Sequence, residues 1–246
     1  MIKEKILIFI PAYNVEKKIT KVLNKIPKIV FNKYNAKILV IEDNSSDKTL
    51  SVIKKVIKKK GDKIKIYLIV NKKNKGYGGV QKIAFNYAIK KNFKYVVMLH
   101  GDNQYPANKI LLLIKPLLTN KYDAVFGSRM INSINALKGG MPLYKYLGNI
   151  ALTFFQNLVL SSNLSEFHSG YRSYKVSSLK KTKFKSNTND FHFDTEIIIQ
   201  MLKFKFIIKE IPIPTFYGDE VSHLKSIPYG INILISTIKY RFFYKD

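Results

Sequence analysis

Short apolar runs alternate with amphipathic stretches along the first half of the chain, and each run ends in a polar turn. "KILIFIPAYN", Lys5 to Asn14, predicts a buried strand with a loop at its C-terminal end. "EKKITKVLNKIPKIV" follows and sets Ile19, Val22, Leu23 and Ile26 at the i, i+3, i+4, i+7 spacing of one helix face. "AKILVIEDNSSDKT" repeats the theme with a strand Ile38 to Ile41 and an acidic turn, from which Asp47 or Ser46 can cap the helix "KTLSVIKKVIKKK". "IKIYLIVN" predicts a third strand, and "NKGYGGVQKIAFNYAIKKN" a glycine-bearing loop feeding a helix. Strand "YVVMLHGDNQYP", helix "NKILLLIKPLLTN" and strand "YDAVFGSR" complete the series.

Near-continuous apolar strands separated by helices predict an α/β fold: a Rossmann-like, mainly parallel sheet covered by helices on both faces. In such a sheet the C-terminal ends of the strands share one edge. The turns that carry Asn14, Asp43 and Asp102 are therefore expected to converge on one crevice.

After Arg129 the pattern changes. "INSINALKGGMPLYKY" reads as a mobile, glycine-bearing loop. Leu147 to Leu164 carries no charge but contains Gly148, Asn149, Gln156 and Asn157. That polarity argues for an amphipathic, interfacial or buried segment, because a spanning helix needs about 20 mostly apolar residues. "IIKEIPIPTFYG" reads as an edge strand, since prolines cannot serve a central ladder. The tail, from about 228 to 246, has an apolar face and a basic end, which suits a helix lying on a membrane surface. No repeat or low-complexity linker interrupts the chain, so residues 1–246 are expected to form a single domain.

Composition changes this picture in two respects. The 246 residues carry a formal charge of +27, a field that attracts nucleic acid, anionic headgroups or phosphorylated substrates. The lysines are spread over helix faces instead of gathered in a reading motif, which argues against specific nucleic-acid binding. There is no cysteine, which excludes disulfides and thiolate metal sites. His168, His192 and His223 lack zinc-site spacing. The N-terminal apolar run is too short for a signal peptide.

The candidate chemistry lies in the turns. Asp102 and Gln104, at alternate positions after a buried strand, offer two oxygen donors to a hard divalent cation. The chain carries "PAYNVE" (11–16), "IEDNSSDKT" (41–49), "NKGYGGVQKIAFNYA" (74–88), "HGDNQYP" (100–106), "FGSR" (126–129), "SEFHSGYR" (165–172) and "FDTEI" (193–197). In this order and at this spacing the segments resemble family 2 glycosyltransferases with the GT-A fold. The nearest branch is that of dolichol-phosphate mannose synthase and the bacterial polyprenyl-phosphate glycosyltransferases.

The resemblance implies an inverting hexosyltransferase that takes a UDP- or GDP-sugar donor and a polyprenyl-phosphate acceptor. It would work peripherally at the cytoplasmic face of the cell membrane, on its own or with a membrane partner. Pro11, Tyr13, Glu16, Asp43, Gly76 and Gly79 would meet the nucleotide-sugar. Glu42 would point away. Asp102 and Gln104 would hold Mg²⁺ or Mn²⁺, with His100 standing where the family has a first Asp; a neutral, softer side chain there bears on which metal is preferred. Arg129 and Arg172 would clamp the acceptor phosphate. Were the acceptor a hydroxyl of a soluble or polymeric glycan, a carboxylate base would be required, from Glu166, Asp194 or Glu196. Asp194 and Glu196 also suit a helix N-terminus simply by their charge. "EVSHLK", Glu220 to Lys225, falls where the lipid-phosphate branch carries a Ser-Lys-Leu segment, with His223 in place of Lys.

Overall fold

A computed structural model describes residues 3–61, 64–214 and 226–242. Strand β1 (Lys5–Ala12) lies inside a seven-stranded sheet and pairs in parallel with β2 (Asn35–Glu42) and β4 (Tyr95–Met98). Beyond β2 runs β3 (Ile66–Val70), also parallel. On the far side of β4 come β6 (Arg172–Lys175), β5 (Ala124–Ser128) and β7 (Ile208–Pro212), giving the order β3-β2-β1-β4-β6-β5-β7. Among the described residues β7 pairs with β5 alone, so its proline sits at a sheet edge, as the sequence predicts.

The period-two geometry of β1 explains why both sheet faces need cover. Ile6, Ile8 and Ile10 join one core, with Ile19, Val22 and Leu23 of α1 (Ile19–Lys25), Ile53 of α3 (Thr49–Lys60) and Leu113 of α5 (Ile110–Leu117). Leu7 and Phe9 point the other way, into a core with Ala84 and Phe85 of α4 (Gly76–Lys90) and Ile197 and Ile198 of α9 (Phe193–Lys203). Each such aliphatic side chain, fully buried, stabilises the fold by about 1.5–3 kcal/mol. A one-residue slip of β1 would therefore exchange the two cores.

β6 runs antiparallel to both β4 and β5. Its first residue, Arg172, pairs with Phe126 near the C-terminal end of β5. The loop that precedes β6 thus reaches the edge where the parallel strands deliver the loops that follow them.

The segment 131–146 is not one loop, contrary to the sequence reading. Helices α6 (Ser133–Lys138) and α7 (Leu143–Leu160) occupy most of it, with α2 (Lys28–Lys33) and α8 (Val176–Lys181) preceding and following them in the chain. Gly139 caps α6, Gly140 has φ +85°, and Pro142 precedes the first turn of α7, so the glycines and proline separate two helices. Ala136, Met130 and Met141 pack into a small core of their own.

α7 is amphipathic, as expected, but with its faces inverted. Asn149, Thr153 and Gln156 are buried, while Leu143, Leu147, Ile150, Phe154 and Leu158 are exposed, Phe154 and Leu158 by 70% and 71%. α10 (Ser226–Phe242) packs beside it, burying Ser236 and Thr237 and exposing Ile227, Ile231, Leu234, Ile235 and Ile238. This is the tail helix of the sequence reading, begun slightly earlier; residues 243–246 lie outside the described residues, as do 220–225 with His223. Among the described residues no helix is long and apolar enough to cross a membrane.

Candidate functional site

The order of the sheet reverses at β1: the chain builds outward through β2 and β3, then returns to lay β4 on the other side. Reversals of this kind open a crevice at the C-terminal strand ends. A cleft of about 920 Å³ lies there, lined by Asn14, Asp43 and Asp102, so the three turns do converge.

The first two turns are stitched together. Asn14, with φ +52°, receives the Ser46 N–H on its Oδ1 (2.9 Å) and gives its own N–H to Ser45 Oγ (3.0 Å). Glu16 accepts the Lys48 N–H (2.7 Å), while Asp47 accepts the N–H of Glu16 (3.2 Å) and of Thr49 (2.9 Å), just before the Lys48 N-cap of α3. Glu42 turns away, receiving the N–H groups of Asn44 and Ser45.

Asp43 organises the glycine loop. Its carboxylate accepts from Asn71 Nδ2 (2.7 Å) and from the N–H groups of Lys75 (2.9 Å) and Gly76 (3.1 Å). Gly76 has φ +76°, and a Cβ there would come within 2.6 Å of the Asn189 carbonyl oxygen. The backbone approach that these glycines permit is thus to the chain's own Thr188–Asn189 segment, whose carbonyl also receives the Gly78 N–H (2.8 Å). Gly76 still lines the cleft; Gly79 does not, because it packs against Lys75 and Asn189.

After β4, Asp102 Oδ1 accepts the Gln104 N–H at 3.0 Å, closing a turn around Asn103, whose φ is +63°. His100 stands edge-on to Tyr105, with ring centroids 4.9 Å apart, and its Nε2 lies 3.5 Å from the Tyr77 hydroxyl. Gly170 leaves room for both: a Cβ there would collide with His100 Nε2 and lie 2.8 Å from Tyr77 Oη.

Across the cleft, Asp194 accepts the Tyr77 hydroxyl (2.9 Å) and Gln81 Nε2 (2.8 Å). Arg129 pairs with Glu166, giving Nε (2.8 Å), Nη2 and its backbone N–H (2.7 Å) to that carboxylate, which also accepts Asn149 Nδ2 (2.9 Å). Burial alone would raise the Glu166 pKa; the Arg129 charge and the hydrogen bonds outweigh it and hold the group below the usual value.

Pro11, Tyr13, Glu16, Asp43, Gly76, Asp102, Gln104, Arg129 and Asp194 are thus gathered in one cleft, while Gly79, Arg172 and Glu196 lie outside its lining. Arg172 is 1% exposed and gives Nε to Ser169 O (2.6 Å), Nη1 to Asp194 O (3.0 Å) and Nη2 to Phe167 O (2.6 Å). Its Nη1 also lies 3.6 Å from Asp194 Oδ1, so the guanidinium is held inside the protein, where it secures the loop before β6 instead of facing the cleft as the phosphate-clamp expectation required. Glu196 reaches back to the Thr188 N–H (2.6 Å). The sequence reading missed Tyr77, Lys145, Asn149 and Tyr229, all of which line the cleft. The Gly-Gly-Met-Pro break at 139–142 was the signal for the start of α7.

Among the described residues no group of three His, Cys, Asp or Glu side chains could hold a metal ion. Asp102 and Gln104 supply two hard oxygen donors in the cleft. That set fits a Mg²⁺ or Mn²⁺ ion that takes its remaining ligands from substrate phosphates and water.

Residues 7–183 match the profile of the family described as "Glycosyl transferase family 2". The chain is 28% identical to the UDP-N-acetylglucosamine–dolichyl-phosphate N-acetylglucosaminyltransferase of Methanococcus voltae, covering 98% of this chain and 94% of that one. It is 20% identical to the undecaprenyl-phosphate mannosyltransferase of Micrococcus luteus, covering 90% and 87%. Glucosyl-3-phosphoglycerate synthase from Mycobacterium tuberculosis, solved with Mg²⁺ and UDP, superposes with a TM-score of 0.72 at 15% identity, over 99% of this chain and 81% of that one. At that identity the likeness is one of fold, the GT-A arrangement.

Proposed function

The chain belongs to glycosyl transferase family 2, and from that premise we propose that it moves a hexose from a UDP- or GDP-sugar to polyprenyl phosphate, inverting the anomeric carbon. The observation that carries this reading is the junction of two unlike walls in one cleft. On one side stand the turns holding Asp43 and Asp102; on the other stand α7 and α10, whose outer faces are apolar. A lipid-linked phosphate needs such a junction, with its headgroup among polar groups and its chain at an apolar surface. Two relatives named for polyprenyl-phosphate acceptors support it.

In this reading Pro11, Tyr13, Glu16 and Asp43 face the nucleoside, and Gly76 lies beside the phosphates. Asp102 and Gln104 hold the divalent cation, which when bound neutralises charge on the departing nucleoside diphosphate. The acceptor phosphate is already an anion near neutral pH, so its oxygen attacks the anomeric carbon without a protein base. The bond from that carbon to the diphosphate oxygen breaks, and the nucleoside diphosphate leaves. The residues contribute positioning and charge complementarity. The α7–α10 face lies on the membrane surface: the two described helices contain no acidic residue, and the +27 charge of the chain complements anionic lipid.

A hydroxyl acceptor is the second reading, favoured by Asp194, whose carboxylate lines the cleft where a base would be needed. A panel of UDP- and GDP-sugars with short-chain polyprenyl phosphate, with Mg²⁺, Mn²⁺ or chelator, separates the two. Sugar appearing on the lipid phosphate only with metal is expected. Transfer confined to hydroxyl compounds overturns the first reading.

A further inference from the structure

Buried polar atoms in folded proteins nearly always have a hydrogen-bond partner, so an exception at a site calls for an explanation. Several side chains among the described residues hold such an atom, but of these residues only His168 also lines the cleft; its orphan atom is Nε2, which is shielded from water. The rest of the residue is firmly held. Its carbonyl accepts Arg129 Nη2 at 3.2 Å, and its Nδ1 lies 3.3 Å from the Tyr229 hydroxyl, the rings meeting edge to face at 5.9 Å and 77°. Burial lowers its pKa to about 4, so the ring is neutral near pH 7 and carries one N–H. Burial likewise keeps the Tyr229 phenol protonated. The hydroxyl and Nδ1 can exchange donor and acceptor roles; the arrangement with Tyr229 as donor puts the ring proton on Nε2, the nitrogen without a partner.

The bonds around His168 say which part of the cleft it serves. Tyr229 belongs to α10. Asn149 of α7 bonds Glu166, which holds Arg129, which in turn holds the His168 carbonyl. His168 is therefore tied to both helices with apolar outer faces, and none of these bonds reaches the turns of β1, β2 or β4. Beside burial, the Glu166 carboxylate raises its basicity, while Arg129 and Arg172, themselves paired with Glu166 and Asp194, lower it.

We propose that the Nε2–H of His168, oriented by Tyr229, is the hydrogen-bond donor for a phosphoryl oxygen of the acceptor. The proposal rests on the phosphate-acceptor reading above.

Imidazole ¹⁵N NMR on the full chain tests it. The free protein should show His168 protonated at Nε2, and a short-chain polyprenyl monophosphate should shift that resonance while UDP alone does not. His168→Leu should raise the acceptor KM roughly ten- to a hundredfold, the worth of a hydrogen bond to a charged group, with the donor KM unchanged. His168→Gln, which keeps an N–H donor, should recover part of the loss, and Tyr229→Phe should shift the tautomer without unfolding the chain. A shift with UDP alone, no shift with either probe, or an unchanged acceptor KM in His168→Leu overturns the assignment. If the wild type binds the lipid phosphate at His168 but transfers nothing to it, the reaction proposed above fails and this site stands. If it transfers while His168 stays silent, the reverse holds.

Discussion

Arg129 and Glu166 form a pair in which one carboxylate receives both the guanidinium Nε, at 2.8 Å, and the backbone N–H of the same arginine, at 2.7 Å. The Glu166 side chain is wholly shielded and that of Arg129 only 14% exposed, so the charges compensate each other away from water. Removing one member of such a pair costs about 3–5 kcal/mol. Glu166→Ala is expected to destabilise by that order in chemical denaturation.

The same carboxylate has an acid signature. Its folded pKa lies below the ordinary value of 4.5, so its stabilisation is fully present above that value and is lost as pH falls toward the folded pKa. Stability measured from pH 6 down to pH 3 should fall less steeply in Glu166→Gln than in the wild type. Equal slopes would mean that Glu166 titrates alike in the folded and unfolded chains.

Asp102 has two jobs that substitution can separate. Its Oδ1 accepts the Gln104 N–H, and in the function proposed above its charge serves the cation. Asp102→Asn keeps an acceptor for the turn and removes the charge. The expected outcome is transfer lowered by roughly 10²–10³-fold with thermal stability close to wild type. Retained turnover in a folded variant would refute the cation assignment.

Arg172 should fail differently. Its guanidinium bonds three backbone carbonyls and lies 4.9 Å from the Phe126 ring, geometry that an ammonium cannot reproduce. Arg172→Lys is expected to lower stability by at least about 2 kcal/mol, read from its denaturation midpoint. A variant with normal stability and a specific acceptor defect would restore the phosphate-clamp role.

The outer face of α7 is open to a direct trial. Phe154→Glu and Leu158→Glu alter side chains that face away from the protein, so folding and UDP affinity should be unchanged. Flotation with anionic vesicles should show binding weakened roughly ten- to a hundredfold per substitution, given about 1.5–3 kcal/mol for each large apolar side chain withdrawn from the lipid. Undiminished flotation would point to a different docking face.

Much of the sheet was legible because its signals are local. The apolar runs of β1, β2 and β4 and the polar turns that end them are contiguous in sequence, and parallel pairing alone brings the turns together. β6 left no such signal: Arg-Ser-Tyr-Lys has no apolar run, and its strand character comes from the ladders that β4 and β5 offer. Arg172 looked like any other basic residue because its burial depends on carbonyls of Phe167, Ser169 and Asp194 that only the folded loop presents. The glycines at 76–79 announced a close backbone approach, yet nothing near them in sequence indicated that the partner was Asn189. His168 showed only that it lacks zinc-site spacing, because its neighbour Tyr229 lies far along the chain on the last described helix.

The single reversed strand, β6, has a consequence for how specificity can change. Because it runs against its neighbours, the stretch 165–171 enters the sheet from the crevice side, tied to α7 and α10, while the turns of Asn14, Asp43 and Asp102 leave the sheet from other strands. Under the function proposed above, descendants of such a chain can change the acceptor by rewriting that stretch and its two helices, leaving the turns assigned to the donor intact.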